Sequence, residues 1–379
     1  MNPIIIVGSG LAGYSLLREL KNRACPTPIT LITADGGESY YKPKLSTVQS
    51  QQKSALNMVM ASASKMAQDH HAEIITHTRV ASLDTPNHQL TLDNGEVRPY
   101  HQLVLATGAS PTRINPPGDG IKDVLSINNL ADYVNFEQKL ADAKRVAIIG
   151  PGLIGMEFAN DLLHTNRSVT VIGPNPWPIS TLIPQPIGEA VQKALSDKGA
   201  TWHLGRNTVA INIRDSGYRI ALDNDTVVEA DLVLSAVGIR ADLQLAVQSG
   251  LKTNRGILTD SYLQTSAPDV YALGDCAEVD GRNLPFVQPL LIGARALAAT
   301  LTGHPQTVHY PPMPVAIKTS LHPIIILPPH TKEGRWVFTG SPDTGMVGRF
   351  LTGADKLAGF VLSGDQTPEK NKLMDEYHP

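Results

Sequence analysis

The chain has 379 residues, 42% of them hydrophobic, and a formal charge of −3. That length exceeds what one core serves, so two or three domains are expected, and the small net charge favours neither nucleic acid nor an anionic membrane as partner. No apolar run reaches membrane-spanning length, and the two cysteines, Cys25 and Cys276, are too far apart for a Cys-x-x-Cys redox pair or a cysteine-rich metal site.

The first element is the apolar run Ile4-Ile5-Ile6-Val7, with no basic segment ahead of it to make it a signal peptide. It reads as a buried parallel strand, followed by Gly8-x-Gly10-x-x-Gly13 and a helix with Leu16, Leu17 and Leu20 on one face. This is the pattern of a dinucleotide cradle: Gly8 for a tight turn, Gly10 for close approach of a pyrophosphate to the helix N-terminus, Gly13 for close packing of helix on strand. Ile29–Asp35 is a second strand ending in an acid, about twenty residues beyond the glycines, which suits a ribose diol; Asp35-Gly36 is equally a turn signal. Tyr40–Ser46 places Lys42 and Lys44 around Pro43, and as plain loop residues they would simply be solvated.

Short strands are expected at His77–Val80, Gln89–Leu92 and Gln102–Gly108, the last closing on a small-residue turn at Thr107 and Gly108. After the proline-rich link 111–120 the opening pattern recurs. Arg145–Ile149 is a strand, Gly150-x-Gly152-x-x-Gly155 the turn, and Leu153, Ile154 and Glu157 lie in the helix that follows. Two such units, each with a partner strand at the expected distance, imply two dinucleotides. The second partner strand runs from Val169 to Ile172 into Gly173, with neither an acid nor a cation evident, so NADH and NADPH both stay open. Asp231–Gly238 parallels Leu103–Gly108 and marks the return to the first domain. Tyr271–Cys276 is a strand delivering Asp275 to a turn. Pro289–Ala298 is a helix with proline in its first turn, and Val287 and Gln288 are expected just before it. From about Tyr310 the strand signals at Val315–Lys318, Ile324–Leu327, Trp336–Phe338 and Leu357–Leu362 describe a small α+β domain.

Gly8-x-Gly10-x-x-Gly13, Ala106-Thr107-Gly108, Gly150-x-Gly152-x-x-Gly155-x-Glu157 and Leu273-Gly274-Asp275 together resemble the two-dinucleotide-binding flavoprotein reductases. Tyr41–Ser46, Ala272–Glu278 and Met313–Thr319 are most similar to the bacterial rubredoxin reductases of alkane-hydroxylating systems. The resemblance implies an α/β fold of two Rossmann-like domains, an FAD domain (1–113 and 241–310) interrupted by an NAD(P)H domain (114–240), plus a small α+β C-terminal domain (311–379). It implies a cytoplasmic, monomeric enzyme without metal or membrane span. Its reaction would pass electrons from NADH or NADPH through FAD to rubredoxin, an acidic iron protein, in alkane degradation; a ferredoxin or nitrite-reductase-type partner is the alternative.

By the same resemblance, Gly8, Ser9, Gly10, Leu11, Ala12 and Gly13 hold the FAD pyrophosphate, and Thr33, Ala34 and Asp35 the adenosine ribose. Val80 meets the adenine edge, unless it is a plain core valine, while Lys42, Thr107 and Gly108 line the flavin. Asp275 bonds a ribitol hydroxyl; Val287, Gln288 and Lys318 lie at the flavin pyrimidine. Gly150, Gly152, Leu153, Ile154, Gly155 and Gly238 belong to the nicotinamide nucleotide, with Glu157 near its amide; Glu157 and Lys318 are the catalytic candidates. The family's cysteines beside the flavin are missing, so the electrons must leave the polypeptide. Thr47 stands where related reductases carry a lysine thought to pair with the glutamate, which leaves Lys42 or Lys44 as the expected partner of Glu157.

Overall fold

Ile4–Val7 is a strand with all four side chains buried, as a strand covered on both faces requires. The computed structural model describes residues 1–377 and sets this strand at the centre of a five-stranded parallel sheet. The spatial order is Val270–Ala272, Gln102–Leu105, Ile4–Val7, Ile29–Ile32, Glu73–Ile75. The chain therefore turns to one side of its first strand and then to the other, which opens a crevice at the carboxyl ends of the strands. Helix Leu11–Asn22 buries Leu16, Leu17 and Leu20, and helix Val287–Leu301 packs beside it.

That sheet belongs to the first of two units, made of Met1–Lys42, Leu56–Ser110 and Ile239–Pro311. The second takes Pro43–Ala55, Pro111–Gly238 and the chain from Pro312 onward. It repeats the arrangement: a four-stranded parallel sheet in the order Ala200–Leu204, Ser168–Gly173, Arg145–Ile149, Leu232–Ser235, with helix Leu153–Leu163 after the first of these in sequence. Each unit also carries a three-stranded antiparallel sheet, Val80–Asp84, Gln89–Leu92 and Val97–Pro99 in the first, Thr208–Arg214, Gly217–Leu222 and Val227–Ala230 in the second. The second unit ends in a five-stranded antiparallel sheet ordered Val315–Ile317, Ile324–Leu327, Leu357–Ser363, Gly345–Leu351, Arg335–Ser341. Helix Lys370–Glu376 adds Leu373 to the core of Leu327, Val347, Phe360 and Leu362. The chain is thus an α/β protein with two Rossmann-type folds and a small C-terminal α+β sheet.

Local readings differ from the structure in several places, and the expected strand Ile29–Asp35 stops at Ile32. His77–Arg79 is an irregular connection between the strands Glu73–Ile75 and Val80–Asp84, so only Val80 of the expected strand is in one; His77 adopts φ 50° and its N–H is taken by the Asp35 carbonyl at 3.0 Å. Asp275 sits in a single 3-10 turn, Gly274–Cys276, after a shorter strand than expected. Val287 and Gln288 are the first two residues of their helix rather than its lead-in. Pro289 is compatible with this, since first-turn N–H groups have no intrahelical acceptor and a proline there forfeits nothing.

Phe360 is fully buried in the C-terminal sheet, whereas Val337 on its edge strand is 39% exposed. Phe360→Ala should lower stability by about 3–5 kcal/mol, and Val337→Ala by far less. Denaturant melts of the two variants decide this; equal midpoints would contradict the assignment of the core.

Candidate functional site

In the first unit the strand Ile4–Val7 passes into Gly8 at φ 117°, a left-handed value that favours glycine. A Cβ on Gly8 would strike the Ala106 carbonyl, and one on Gly13 the Gly8 carbonyl, so both positions are closed to side chains. Gly10, by contrast, has open space where its side chain would be. It is the N-cap of helix Leu11–Asn22 and supplies no side-chain cap, which leaves first-turn N–H groups for an acceptor from outside the helix. Such a cradle fits a diphosphate, held by backbone N–H groups and the positive end of the helix. Ser9 and Thr33 share a hydrogen bond of 2.8 Å, and Ala34 and the exposed Asp35 follow Thr33 at the end of the adjoining strand. Half-buried Val80 packs on the core of this unit.

Thr107 donates to the Asp242 carbonyl at 3.1 Å, and Gly108 turns with φ 72°. Asp275 lies in the same unit; burial pushes its carboxyl above the usual range, with the Lys42 ammonium acting in the opposite direction. A half-desolvated carboxylate of this kind fits the hydroxyls of a polyol, which would replace lost hydration. Helix Val287–Leu301 also starts without a side-chain cap, at Phe286, with Val287 half-buried and Gln288 exposed. Cys276 is fully buried, its thiol against the Leu105 and Leu273 carbonyls, and it takes no part in an open site.

The second unit reproduces the cradle. Gly150 has φ 112° and a Cβ there would meet the Ala236 carbonyl; one on Gly155 would meet the Gly150 carbonyl; Gly152 faces open space and caps helix Leu153–Leu163 without a side chain. Leu153 is half-buried, Ile154 is exposed, and Gly238 turns with φ 111°. One turn into the helix stands Glu157, only 1% exposed. Its Oε2 accepts from the Ser46 hydroxyl at 2.6 Å and from Lys318 Nζ at 2.5 Å, while Oε1 accepts the Lys318 backbone N–H at 3.0 Å. A carboxylate so deeply buried must be paired and hydrogen-bonded, and these three donors meet that requirement.

The partner of Glu157 is therefore Lys318, not Lys42 or Lys44. Lys42 is the cation near Asp275 in the other unit, and Lys44 is exposed. Thr47 closes its own turn by donating to the Lys44 carbonyl at 3.0 Å. Sequence reasoning missed three members of this cluster. Ser46 was one loop residue among several, and Asn160 and Asp161 were unremarked although they fall three and four positions after Glu157 in an otherwise apolar helix, which puts them on one face. Asp161 accepts the backbone N–H groups of Gln49 at 3.0 Å and Ser50 at 2.8 Å, and Asn160 accepts that of Leu321 at 2.9 Å. Burial pushes the Asp161 carboxyl up, against those hydrogen bonds.

Residues 2–309 match the family described as pyridine nucleotide-disulphide oxidoreductase, and residues 307–377 match a domain described as the rubredoxin binding C-terminal domain. The chain belongs to the pyridine nucleotide-disulphide oxidoreductases. It is 42% identical to the rubredoxin-NAD(+) reductase of Acinetobacter baylyi, over 98% of this chain and 96% of that protein. The rubredoxin-NAD(+) reductase of Alcanivorax borkumensis is 40% identical over 99% of this chain and 98% of its own length, and a nitric oxide reductase FlRd-NAD(+) reductase of Vibrio vulnificus 36% over 99% and 98%. Among solved structures, a ferredoxin reductase from Rhodopseudomonas palustris superposes with TM-score 0.88 at 28% identity, covering 96% of this chain and 91% of that one. The NADH:rubredoxin oxidoreductase of Clostridium acetobutylicum shares the fold with TM-score 0.81 at 20% identity, over 100% and 96%.

The two cradles give a paired test. Asp275→Ala should strip flavin from the purified protein and leave nicotinamide nucleotide affinity nearly intact. Gly155→Val, whose side chain cannot clear the Gly150 carbonyl, should weaken that affinity at least about tenfold and spare the flavin. Flavin absorbance and calorimetric titration separate the two, and equal losses in both variants would refute the pairing of cradle and nucleotide.

Proposed function

We propose that the chain is an FAD-dependent reductase that draws electrons from a nicotinamide nucleotide and delivers them to rubredoxin. The observation that carries this reading is the continuity of two matches, an oxidoreductase over residues 2–309 and a rubredoxin-binding domain over 307–377, in relatives that align along the full chain. We read 1–113 with 241–310 as the FAD domain, 114–240 as the nicotinamide domain and 311–379 as the C-terminal domain. When bound, FAD accepts a hydride and releases electrons one at a time. The chain carries only Cys25 and Cys276, the latter fully buried, so the electrons go to an external acceptor rather than to a protein disulfide.

The chain's own work in this reaction is positioning. The first cradle holds the flavin diphosphate, Asp35 its ribose and Asp275 its ribitol. The uncapped start of helix Val287–Leu301 favours negative charge on the flavin pyrimidine by roughly 0.3–2 kcal/mol. Glu157 orients the nicotinamide amide, and the Lys318 and Ser46 contacts fix the position of its side chain. Hydride transfer needs no proton moved by either residue. Lys318, already ion-paired, contributes little free charge to partner steering, which leaves Lys44 and Lys53 as the exposed cations of the 43–55 segment, Lys44 being the nearer in sequence to Ser46.

Supply of electrons to an alkane hydroxylase in the cytoplasm is the physiological setting we favour; among the described residues no helix is long and apolar enough to cross a membrane. A second reading, with the FlRd of a nitric oxide reductase as acceptor, is favoured by the relatives named nitric oxide reductase FlRd-NAD(+) reductase. Steady-state turnover with purified rubredoxin should exceed that with ferredoxin. Rubredoxin reduction at sub-saturating concentration should fall with ionic strength as the Debye length shrinks to about 10 Å, and Lys44→Glu should imitate high salt without changing the flavin spectrum. Faster turnover with ferredoxin would sink the acceptor, and a salt-independent step with an unaffected variant would move docking to an uncharged surface.

A further inference from the structure

The two cradles can be superposed hydrogen bond by hydrogen bond, and the repeat extends past the glycines to the place where the adenosine ribose is read. In the first unit Gly8 N–H donates to Ile32 O at 2.8 Å, Thr78 N–H to Thr33 O at 2.9 Å and His77 N–H to Asp35 O at 3.0 Å. In the second, Gly150 N–H donates to Ile172 O at 2.8 Å, Arg206 N–H to Gly173 O at 3.1 Å and Gly205 N–H to Asn175 O at 3.0 Å. His77 and Gly205 share a left-handed φ, 50° and 67°. Next in line, Arg79 N–H reaches Asp93 Oδ2 at 3.1 Å and Asn207 N–H reaches Asp223 Oδ2 at 3.0 Å. The correspondence is therefore residue by residue: Gly173 for Thr33, Asn175 for Asp35, Arg206 for Thr78.

This alignment of geometry alters the chemistry at one point. Where the first cradle carries the carboxylate of Asp35 three residues past its second strand, the second carries the amide of Asn175 just past its own, tethered through Nδ2 to Ser180 Oγ at 2.8 Å. A carboxylate accepts from a ribose 2′-hydroxyl and repels a 2′-phosphate; a neutral amide does not repel it. No side chain can occupy position 173, because a Cβ there would strike the ring of Pro151. The same turn adds a cation. Arg206 is exposed, and among the described residues its guanidinium forms no ion pair, interacting with Asp223 only through its charge; guanidinium geometry suits the bidentate pairing with phosphate. Its charge lowers the Asp223 carboxyl, but less than the hydrogen bonds Asp223 accepts from Asn207.

We infer that the second nucleotide site accepts a 2′-phosphate, with Arg206 holding it and Asn175 failing to reject it, so that NADPH is bound alongside NADH. The inference rests on the reading of this cradle as the nicotinamide site. Calorimetric titration of the FAD-loaded protein with NAD+ and NADP+ tests it without turnover. The two dissociation constants should agree within about tenfold, with the NADP+ value the more sensitive to salt. Arg206→Ala should raise the NADP+/NAD+ ratio of dissociation constants at least about tenfold, and Asn175→Asp should raise it independently by a comparable factor. Should NAD+ bind while NADP+ binds more than about a hundredfold weaker, or should neither variant move the ratio, the inference fails and the nicotinamide reading stands; binding of neither nucleotide overturns both.

Discussion

The carbonyl oxygen of Gly8 lies where a Cβ on Gly13 would stand, and that of Gly150 where one on Gly155 would stand. This contact between a turn and the first coil of the helix after it fixes how close each helix comes to its parent strand. Close packing in turn aims the uncapped helix start at the carboxyl end of a parallel sheet, where the strand order reverses. In each parallel sheet the partner strand ends beside that turn, the Gly8 and Gly150 N–H groups donating to Ile32 and Ile172, and the strand on the other side runs on into Ala106 or Ala236, whose carbonyls bar a side chain from Gly8 and Gly150.

Much of this was legible in the sequence because it depends on local backbone demands. Glycine spacing and unbroken apolar runs such as Ile4–Val7 and Val146–Ile149 each report a requirement within a few residues. What could not be read depends on contacts between distant segments. Nothing local in Lys318 says that it rather than Lys42 neutralises Glu157, because the two are 161 positions apart and meet only through the packing of the second unit. Asn175 and Arg206 are similar. Neither matches a motif, and their equivalence to Asp35 and Thr78 emerges from matching hydrogen bonds rather than matching residues. The misplaced strand at His77 has the converse cause: a β-favourable neighbourhood was overridden by one left-handed residue.

Glu157 illustrates how a charge is kept inside a protein. With 1% exposure it would be costly alone, yet a hydroxyl, an ammonium and a backbone N–H complete its coordination. Replacing one donor therefore changes more than one contact. A buried oxygen left without its donor carries an uncompensated desolvation cost, and the remaining donors lose part of the geometry that held them.

The face formed by Glu157, Asn160 and Asp161 gathers segments made at very different times. Ser46–Ser50 leaves the ribosome more than a hundred residues before its acceptors, and Lys318–Leu321 some 161 residues after them. Closing loops of that length is slow compared with forming a helix or a hairpin. A nascent chain can thus complete the parallel sheet around Arg145–Ile149, with Ser46–Ser50 already made, while the Glu157 and Asn160 end of the polar face still waits for Lys318–Leu321.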